Sequence, residues 1–254
     1  MQPIRVLHIV TYMGRGGLET MLMNYYRHID RTKVQFDFLV HRDFEADYDA
    51  EILSLGGKIH HVSRLVPWSK SYQNELRTFF KAHPEYRIVH VHQDCLSSVA
   101  LKVAKECGVP VRIAHSHSSS ADKNLKYWIK RYYMKKISKY ATDLFACGKK
   151  AGDWMFGGEK YQIVRNAIDA KRYTYSMATA EKVRTSLNLH DELVVGHVGR
   201  FNPPKNHTFL IDIFYEIQKI NPSARLLLVG DGDGKKEIQE KARKLGIADH
   251  IIFA

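Results

Sequence analysis

The chain has 254 residues, of which 44% are hydrophobic and 26% charged, so it is long enough for one large domain or two small ones. No run approaches the roughly 18 apolar residues of a membrane-spanning helix, and the N-terminus lacks a signal-peptide pattern, which predicts a cytoplasmic protein. The net charge of +12 favours an anionic partner, but it does not choose among nucleic acid, a membrane surface and a phosphorylated substrate.

The chain begins with a predicted strand (4–10), a glycine-rich turn (11–17) and a helix that starts at Leu18. This order is the phosphate-binding arrangement of doubly wound α/β folds. A dinucleotide fingerprint needs a third glycine where Glu19 stands, so that motif is absent. The alternative is a plain tight turn, in which Glu19 is favourable near the helix N-terminus.

Predicted strands and short helices then alternate along the chain. The strands are 34–40, 58–62, 87–92, 111–114, 143–148 and 161–164, and the helices are 46–55, 72–82 and 97–106. This alternation predicts a mostly parallel sheet covered by helices on both faces, with functional groups at the carboxyl ends of the strands.

Two His-x-His pairs, His90/His92 and His115/His117, fall at predicted strand ends. Residues two apart in a strand share a face, so each pair could chelate a metal, as in a metal-dependent hydrolase. Such a site would also need a carboxylate ligand at a matching strand end, and the sequence offers no convincing one. Hydrogen-bonded histidines are the plainer interpretation, and we therefore predict no metal.

The segment 122–141 is strongly basic, with seven lysines and arginines from Lys123 to Lys139 and no acid among them. Apolar and aromatic side chains recur there every three or four residues, which predicts one basic amphipathic helix. It is expected either to contact an anionic membrane surface or to pack its apolar stripe on the sheet with solvated cations. No nucleic-acid-binding module is recognisable, so nucleic acid is not a predicted partner.

A second strand, loop and helix begin near residue 194. The apolar strand stops at Gly199, Arg200 and Lys205 follow, and Asn206 or Thr208 is expected to cap the next helix. A glycine admits an anion close to the backbone, and a helix N-terminus supplies unpaired N–H groups. Arginine adds a planar fork and lysine a mobile charge. From spacing alone, the alternative is a strand-to-helix loop with two solvated cations.

This stretch, Gly199-Arg200-Phe201 followed by Lys205-Asn206 and an apolar helix, resembles the donor-phosphate loop of family-4 (group 1) glycosyltransferases. The resemblance implies the GT-B architecture, with two Rossmann-like domains and an active site between them. It also implies that Arg200 and Lys205 hold the diphosphate of a UDP-sugar or GDP-sugar, and that no metal is required.

Other motifs match the family at the expected places in the chain. Gly16-Gly17-x-Glu19 resembles the acceptor-side loop, in which the backbone of the glycine pair approaches the reacting phosphate. His115-Ser116-His117 resembles the site of the histidine that faces the sugar; His117 is the first choice and His115 the second.

Two further matches lie near and beyond the end of the first domain. Gly230-Asp231-Gly232 resembles a nucleotide-side turn; taken alone, Asp231-x-Asp233 is also the pattern of a metal-binding carboxylate pair. The segment 165–169 resembles the family's Asn-Gly-Ile-Asp junction, with Ala167 in place of glycine.

The resemblance divides the chain into an acceptor-side Rossmann-like domain (1–169), a connector (170–190) and the start of a nucleotide-sugar-binding domain (191–254). The family continues for about another hundred residues, which carry a Glu-x7-Glu motif. We therefore expect this chain to cover about two-thirds of the enzyme, to be inactive alone and to self-associate through its second domain.

The function implied is that of a retaining glycosyltransferase of surface polysaccharide synthesis. It would act on a glycan or lipid-linked acceptor, in the cytoplasm or at the inner face of the membrane. The alternatives are a nucleotide-sugar epimerase of similar architecture and a non-catalytic nucleotide-binding fragment.

Overall fold

A computed structural model describes residues 2–119 and 126–254, without the side chain of Lys126. The chain folds into two compact units, Met1–Arg172 and Tyr173–Ala254, each with its own parallel sheet. The predicted α/β class, with a Rossmann-like sheet in each unit, is confirmed.

The first unit is built on seven strands: β1 (Ile4–Ile9), β2 (Val34–Val40), β3 (Ile59–His61), β4 (Ile88–Val91), β5 (Val111–Ser116), β6 (Asp143–Ala146) and β7 (Gln162–Ile163). They run in the order β3-β2-β1-β4-β5-β6-β7, and every pairing is parallel. The chain winds outward from β1 in one direction and from β4 in the other. The carboxyl ends of β1 and β4 therefore form the switch point at which such folds bind ligands.

Seven helices in the described part of this unit cover the sheet: α1 (Gly17–His28), α2 (Asp49–Ser54), α3 (Lys70–Ala82), α4 (Ser97–Glu106), α5 (Lys126–Met134), α6 (Ile137–Tyr140) and α7 (Lys149–Phe156). Residues of α1 and α2 join one apolar cluster and residues of α3 to α7 join another. Neighbouring strand residues alternate between the two, as the pleat requires: Phe38 and Val40 lie in the first cluster and Leu39 in the second.

The predicted single basic helix over 122–141 is wrong where the structure describes it. Helix α5 ends at Met134 and α6 begins at Ile137, while Lys123 lies outside the described residues. The Lys136 N–H donates to the Tyr133 carbonyl (3.0 Å), which is a 3-10 bond. Because residues three apart stack in that geometry, Met134 and Ile137 are both buried in the core.

The second unit contains α8 (Met177–Ser186), β8 (Val194–Val198), α9 (His207–Ile220), β9 (Arg225–Val229), α10 (Lys235–Lys244) and β10 (Ile251–Phe253). Its sheet has the order β10-β9-β8, again all parallel. Phe214, Leu226 and Leu228 are fully buried in its core. None of the helices in the described residues combines the length and the apolar character that a membrane crossing needs.

Helix α9 departs from the predicted capping. Asn206 occupies the N-cap position, but its backbone is left-handed (φ 48°) and its side chain makes no capping bond. Thr208 lies inside the helix. Asparagine tolerates this conformation better than most residues, which explains its presence there.

Candidate functional site

The β1–α1 turn brings Gly16 and Gly17 to the N-terminus of α1. A side chain at Gly16 would collide with the carboxylate of Glu19, whereas a Cβ at Gly17 would meet no described residue within 4 Å. The backbone N–H of Arg15 donates a hydrogen bond to the Asp47 carboxylate (3.2 Å), which fixes the turn. Gly16, the N-cap residue, has no side chain that could cap α1. The first N–H groups of a helix suit an anion.

Five histidines meet at the carboxyl ends of β1, β4 and β5, namely His8, His90, His92, His115 and His117. In the register of the sheet His8 stands opposite His90. Three hydrogen bonds join the rings: His8 Nδ1 to His92 Nε2 (3.0 Å), His92 Nδ1 to His117 Nε2 (2.9 Å) and His90 Nε2 to His115 Nδ1 (3.1 Å). The two pairs found in the sequence thus form one histidine cluster, to which the structure adds His8.

Burial keeps these imidazoles neutral. It lowers the pKa of His8 and of His115 to about 3 and that of His117 to about 4, and it lowers the pKa of His90 and His92 well below the ordinary value. His115 is fully buried, whereas His117 is only partly so. Of the two predicted sugar-facing histidines, His117 is therefore the one with a surface open to a ligand.

Asp94 contacts the backbone of His117, and the sequence did not identify it as a site residue. Its carboxylate accepts hydrogen bonds from the backbone N–H of His117 (3.4 Å) and from the Ser118 hydroxyl (3.1 Å), and burial raises the pKa of this carboxyl. Its φ of 44° is in the left-handed region, which aspartate tolerates better than most residues other than glycine. The available signal was an acid just after a strand at the switch point.

A cavity of about 280 Å³ opens beside this cluster, with His41, Arg42, Arg64 and Gln93 among its lining residues. The His41 Nδ1–H donates to the Val10 carbonyl (2.7 Å), which leaves Nε2 to accept from the Tyr72 hydroxyl (2.8 Å). Burial lowers the pKa of His41, so the ring is fixed and neutral. The two arginines supply the positive charge of this cavity.

In the second unit, Arg200 and Lys205 follow β8 and are exposed. Gly199 is tied to β9, because its N–H donates to the Val229 carbonyl (2.9 Å). A Cβ at Gly199 would stand 3.2 Å from Cδ and Cε of Lys205, so the stem of the lysine passes over the glycine. The structure thereby gathers the predicted glycine and the two cations at one strand end, next to the N-terminus of α9.

The turn after β9 packs against the loop that follows β8. Gly230 (φ 146°) and Gly232 (φ 145°) have backbones that favour glycine, and a Cβ on Gly230 would collide with the Gly199 carbonyl. The Asp231 carbonyl accepts from the Phe201 N–H (2.9 Å), and its carboxylate accepts from the Gly232 N–H (2.8 Å). Asp231 thus shapes the turn. The potential metal-ligand clusters among the described residues consist of histidines alone.

The segment that leaves the first sheet is fastened to α1. The Asn24 side chain donates to the Ala167 carbonyl (2.8 Å) and the Tyr25 hydroxyl donates to the Arg165 carbonyl (2.7 Å). Ala167 is not among the residues with positive φ, so this position does not require the glycine of the family motif.

Parallel Rossmann-like sheets with glycine turns and cations at their carboxyl ends define the GT-B class. Similar solved structures include Anabaena Alr3699/HepE in complex with UDP (TM-score 0.80, 17% identity, 98% of this chain and 68% of that one). A putative UDP-N-acetylglucosamine 2-epimerase from Listeria monocytogenes is also similar (TM-score 0.57, 14% identity, 100% and 69%). At these identities the likeness shows the fold alone.

The family follows from sequence comparison. Residues 15–172 match the family model described as Glycosyltransferase Family 4, and residues 179–254 match that of Glycosyl transferases group 1. The putative glycosyltransferase EpsF of Bacillus subtilis is 35% identical over 260 residues, covering 98% of this chain and 67% of EpsF. The chain therefore belongs to the family-4, group 1 glycosyltransferases, as the sequence motifs predicted. It spans about two-thirds of the length of EpsF and 68% of HepE.

Proposed function

We propose that the whole protein is a retaining glycosyltransferase of surface polysaccharide synthesis. It moves a sugar from a UDP- or GDP-sugar to a hydroxyl of a glycan or lipid-linked acceptor. The observation that carries this proposal is the loop after β8, in which Lys205 passes over Gly199 and Arg200 follows directly, next to the N-terminus of α9. Family membership supports it, and so does the neighbour HepE, which is described in complex with UDP and with UDP-glucose.

The donor diphosphate would be held by protein cations, without a metal. Arg200 and Lys205 are exposed at a strand end, and preorganised cations at that place stabilise the charge that builds on the departing diphosphate. Gly16 and Gly17 would admit the phosphate to the backbone N–H groups of α1. The Gly230-Asp231-Gly232 turn would hold the nucleotide side.

At the sugar, His117 would present a neutral imidazole to the anomeric centre. Asp94 fixes its backbone, and the burial that keeps the ring neutral allows it to accept or donate a hydrogen bond without adding charge. The leaving phosphate itself would take the proton of the acceptor hydroxyl, so no separate base is needed.

Calorimetry with UDP and GDP in the presence of a chelator tests the donor assignment. Charge-assisted contacts contribute roughly 1.5–3 kcal/mol each, so Arg200→Ala/Lys205→Ala should weaken binding by about 100-fold or more. Arg243→Ala/Lys244→Ala removes two exposed cations from the far end of α10 and serves as the control. Unchanged affinity in the first variant would exclude the proposed loop.

An epimerase is the second candidate, because the Listeria protein shares the fold. The two functions differ in their products. Given a nucleotide-sugar and an acceptor, a full-length version that transfers sugar releases the nucleoside diphosphate and lengthens the acceptor. An epimerase returns an altered nucleotide-sugar without consuming the acceptor. For this chain alone we expect nucleotide binding without transfer.

We also propose peripheral contact with anionic membrane through α5 and α6. Their apolar side chains divide between two environments: Met134 and Ile137 are buried, whereas Trp128 (73% exposed) and Tyr132 (57%) face solvent. Aromatic side chains beside cations are typical of helices that lie at a lipid interface. Co-sedimentation should be strong with acidic vesicles at low salt and should fall as salt rises. Equal binding to neutral vesicles would contradict this.

Self-association is proposed for the second unit. Val198 at the end of β8 is 76% exposed, and Phe209, Ile213 and Ile220 of α9 are exposed too. Open sheet edges and apolar patches recruit other chains. Light scattering should detect association that disappears when the chain is shortened near Ala170. A monodisperse monomer at high concentration would contradict it.

A further inference from the structure

The histidine cluster offers a metal site in addition to the role proposed for His117 in transfer. We propose that His92, His115 and His117 bind one divalent transition-metal cation of the zinc class. Each ring offers a nitrogen, and the three nitrogens lie within 4.8 Å of one another. This site stands on the first unit alone and is independent of the donor loop.

The spacing of two of the rings, His92 and His117, is close to that found around a coordinated ion. His92 Nδ1 and His117 Nε2 are 2.9 Å apart. Two nitrogens bound to tetrahedral zinc at about 2.0–2.1 Å stand roughly 3.3–3.4 Å from each other. A separation of the two rings by about half an ångström therefore exchanges their hydrogen bond for two metal bonds, a shift that small side-chain rotations supply.

The third ligand already has a free nitrogen. Within the described part of the chain, His115 Nε2 is buried and has no hydrogen-bond partner. Its other nitrogen, Nδ1, meets His90 Nε2 (3.1 Å). If Nδ1 carries the proton and donates it to His90, then Nε2 presents a bare lone pair, which is what a metal ligand requires.

The outer hydrogen bonds fit the same proton count. When His92 binds through Nδ1, its Nε2 carries the proton and donates to His8 Nδ1 (3.0 Å). His115 is likewise oriented by His90. Two of the three ligands thus have an outer partner that fixes the ring and its tautomer, as metal-binding histidines nearly always do.

Access and charge select this trio over the inner one. His8, His90 and His92 also lie within 4.8 Å of one another, but His8 and His92 are buried and His90 Nε2 already meets His115. His117 is partly exposed, so a hydrated ion can enter there and keep a water as its fourth ligand. Asp94, whose carboxylate accepts the backbone N–H of His117, supplies a nearby carboxylate to offset the charge of the ion.

The donor set decides the class of ion. Three neutral imidazoles suit zinc, cobalt, nickel and copper, whereas magnesium and calcium prefer oxygen ligands. The metal-free state is the hydrogen-bonded cluster described above, in which one proton lies between His92 Nδ1 and His117 Nε2. When the cation binds, that proton moves to the outer nitrogen of the same ring, His92 Nε2 or His117 Nδ1. A bound ion would occupy the nitrogen of His117 and thereby deny it to the sugar.

Cobalt titration of the chelator-stripped chain tests the site without nucleotide or acceptor. We expect one Co²⁺ per chain, with the visible absorption of a tetrahedral site, and its displacement by Zn²⁺. His117→Gln should weaken the affinity at least 100-fold, while His28→Gln, which alters an exposed histidine on α1, should leave it unchanged. Circular dichroism confirms that both variants fold.

A second readout is the unfolding temperature. Zn²⁺ should raise that of the wild type and of His28→Gln but not that of His117→Gln, because a ligand that binds only the folded state stabilises it. Absence of the visible band, or equal binding in all three proteins, would overturn the site. Neither result bears on the donor loop, which is tested separately with UDP or GDP in chelator.

Discussion

The two units share the strand–turn–helix arrangement, but their polar groups differ in how far they are buried. In the first unit the seven-stranded sheet is covered on both faces, and His8, His92 and His115 lie inside the protein. In the second unit the sheet has three strands and the functional cations, Arg200 and Lys205, remain in solvent. In the first unit, burial determines the protonation state of the histidines at the strand ends. In the second unit, the backbone of the glycine turns determines where the exposed cations lie.

The largest expected effect concerns a buried charge in the first unit. Asp37 is inaccessible; it accepts two hydrogen bonds from Arg5 (2.5 and 2.6 Å) and one each from the Lys58 N–H (2.7 Å) and the Tyr86 hydroxyl (2.9 Å). Asp37→Ala leaves the guanidinium without its partner and should cost about 3–5 kcal/mol of stability, measured by urea unfolding.

The matched change in the second unit is Asp231→Ala. That carboxylate accepts one bond from the next backbone N–H (2.8 Å), in an exposed turn. Its loss should move the unfolding midpoint little, because solvent replaces the bond. Equal costs for Asp37→Ala and Asp231→Ala would show that burial does not distinguish the units.

Backbone geometry is tested by Gly230→Ala. The substitution places a Cβ against the Gly199 carbonyl at a φ of 146°, and strain of this kind costs about 1–3 kcal/mol. Hydrogen exchange should quicken around the β8 and β9 turns and leave the first unit unaffected. Gly196→Ala is the control, since a Cβ there meets no atom within 4 Å in the described part of the chain. A wild-type exchange pattern in Gly230→Ala would contradict the proposed role of the turn.

The effect of desolvation is tested by the pH dependence of stability, to which the buried ring of His41 contributes. Burial, with a smaller effect of Arg42, lowers the pKa of this ring, while the Val10 carbonyl and Glu75 act in the opposite direction. Because the folded pKa lies below the unfolded value of 6.5, this contribution to stability is complete above that pH and is lost as pH falls. The unfolded state takes up the proton first.

In chelator, the free energy of unfolding of His41→Gln should therefore fall less steeply than that of the wild type below pH 6.5. The difference is at most one proton, or about 1.4 kcal/mol per pH unit. His28→Gln should follow the wild type. Parallel curves for wild type and His41→Gln would mean that His41 titrates normally in the fold.

The smallest effect is expected at Asn206. Its side chain makes no cap, so Asn206→Gly should change stability by only a few tenths of a kcal/mol. Asn206→Ala should cost roughly 1 kcal/mol or more, because alanine is unfavourable in the left-handed conformation. A larger loss for glycine than for alanine in thermal unfolding would contradict this account.

The sequence predicted the order of the elements well, because alternating apolar strands and amphipathic helices have a strong local signal. It missed α7, which is only eight residues long, and it joined α5 to α6. The break between those two helices depends on how Met134 and Ile137 pack in the core, and that contact is not encoded in local periodicity.

The site divides in the same way. Arg200, Lys205 and the glycines were recognisable, since their pattern is local. His8 was not, because a lone histidine in a strand gains meaning only when the sheet order places β1 beside β4. The position of the Asp94 carboxylate depends on a left-handed backbone, which the residue type alone does not predict.

The fastening of the 165–167 segment to α1 has a mechanical consequence. A helix of 12 residues is about 18 Å long and behaves as a stiff rod on this scale. Its N-terminal end carries Gly17, and its last turns hold the carbonyls of Arg165 and Ala167 through Tyr25 and Asn24. We therefore expect a displacement of residues 165–167 to tilt α1 as a rigid body. The glycine turn at the other end of the helix would move with it.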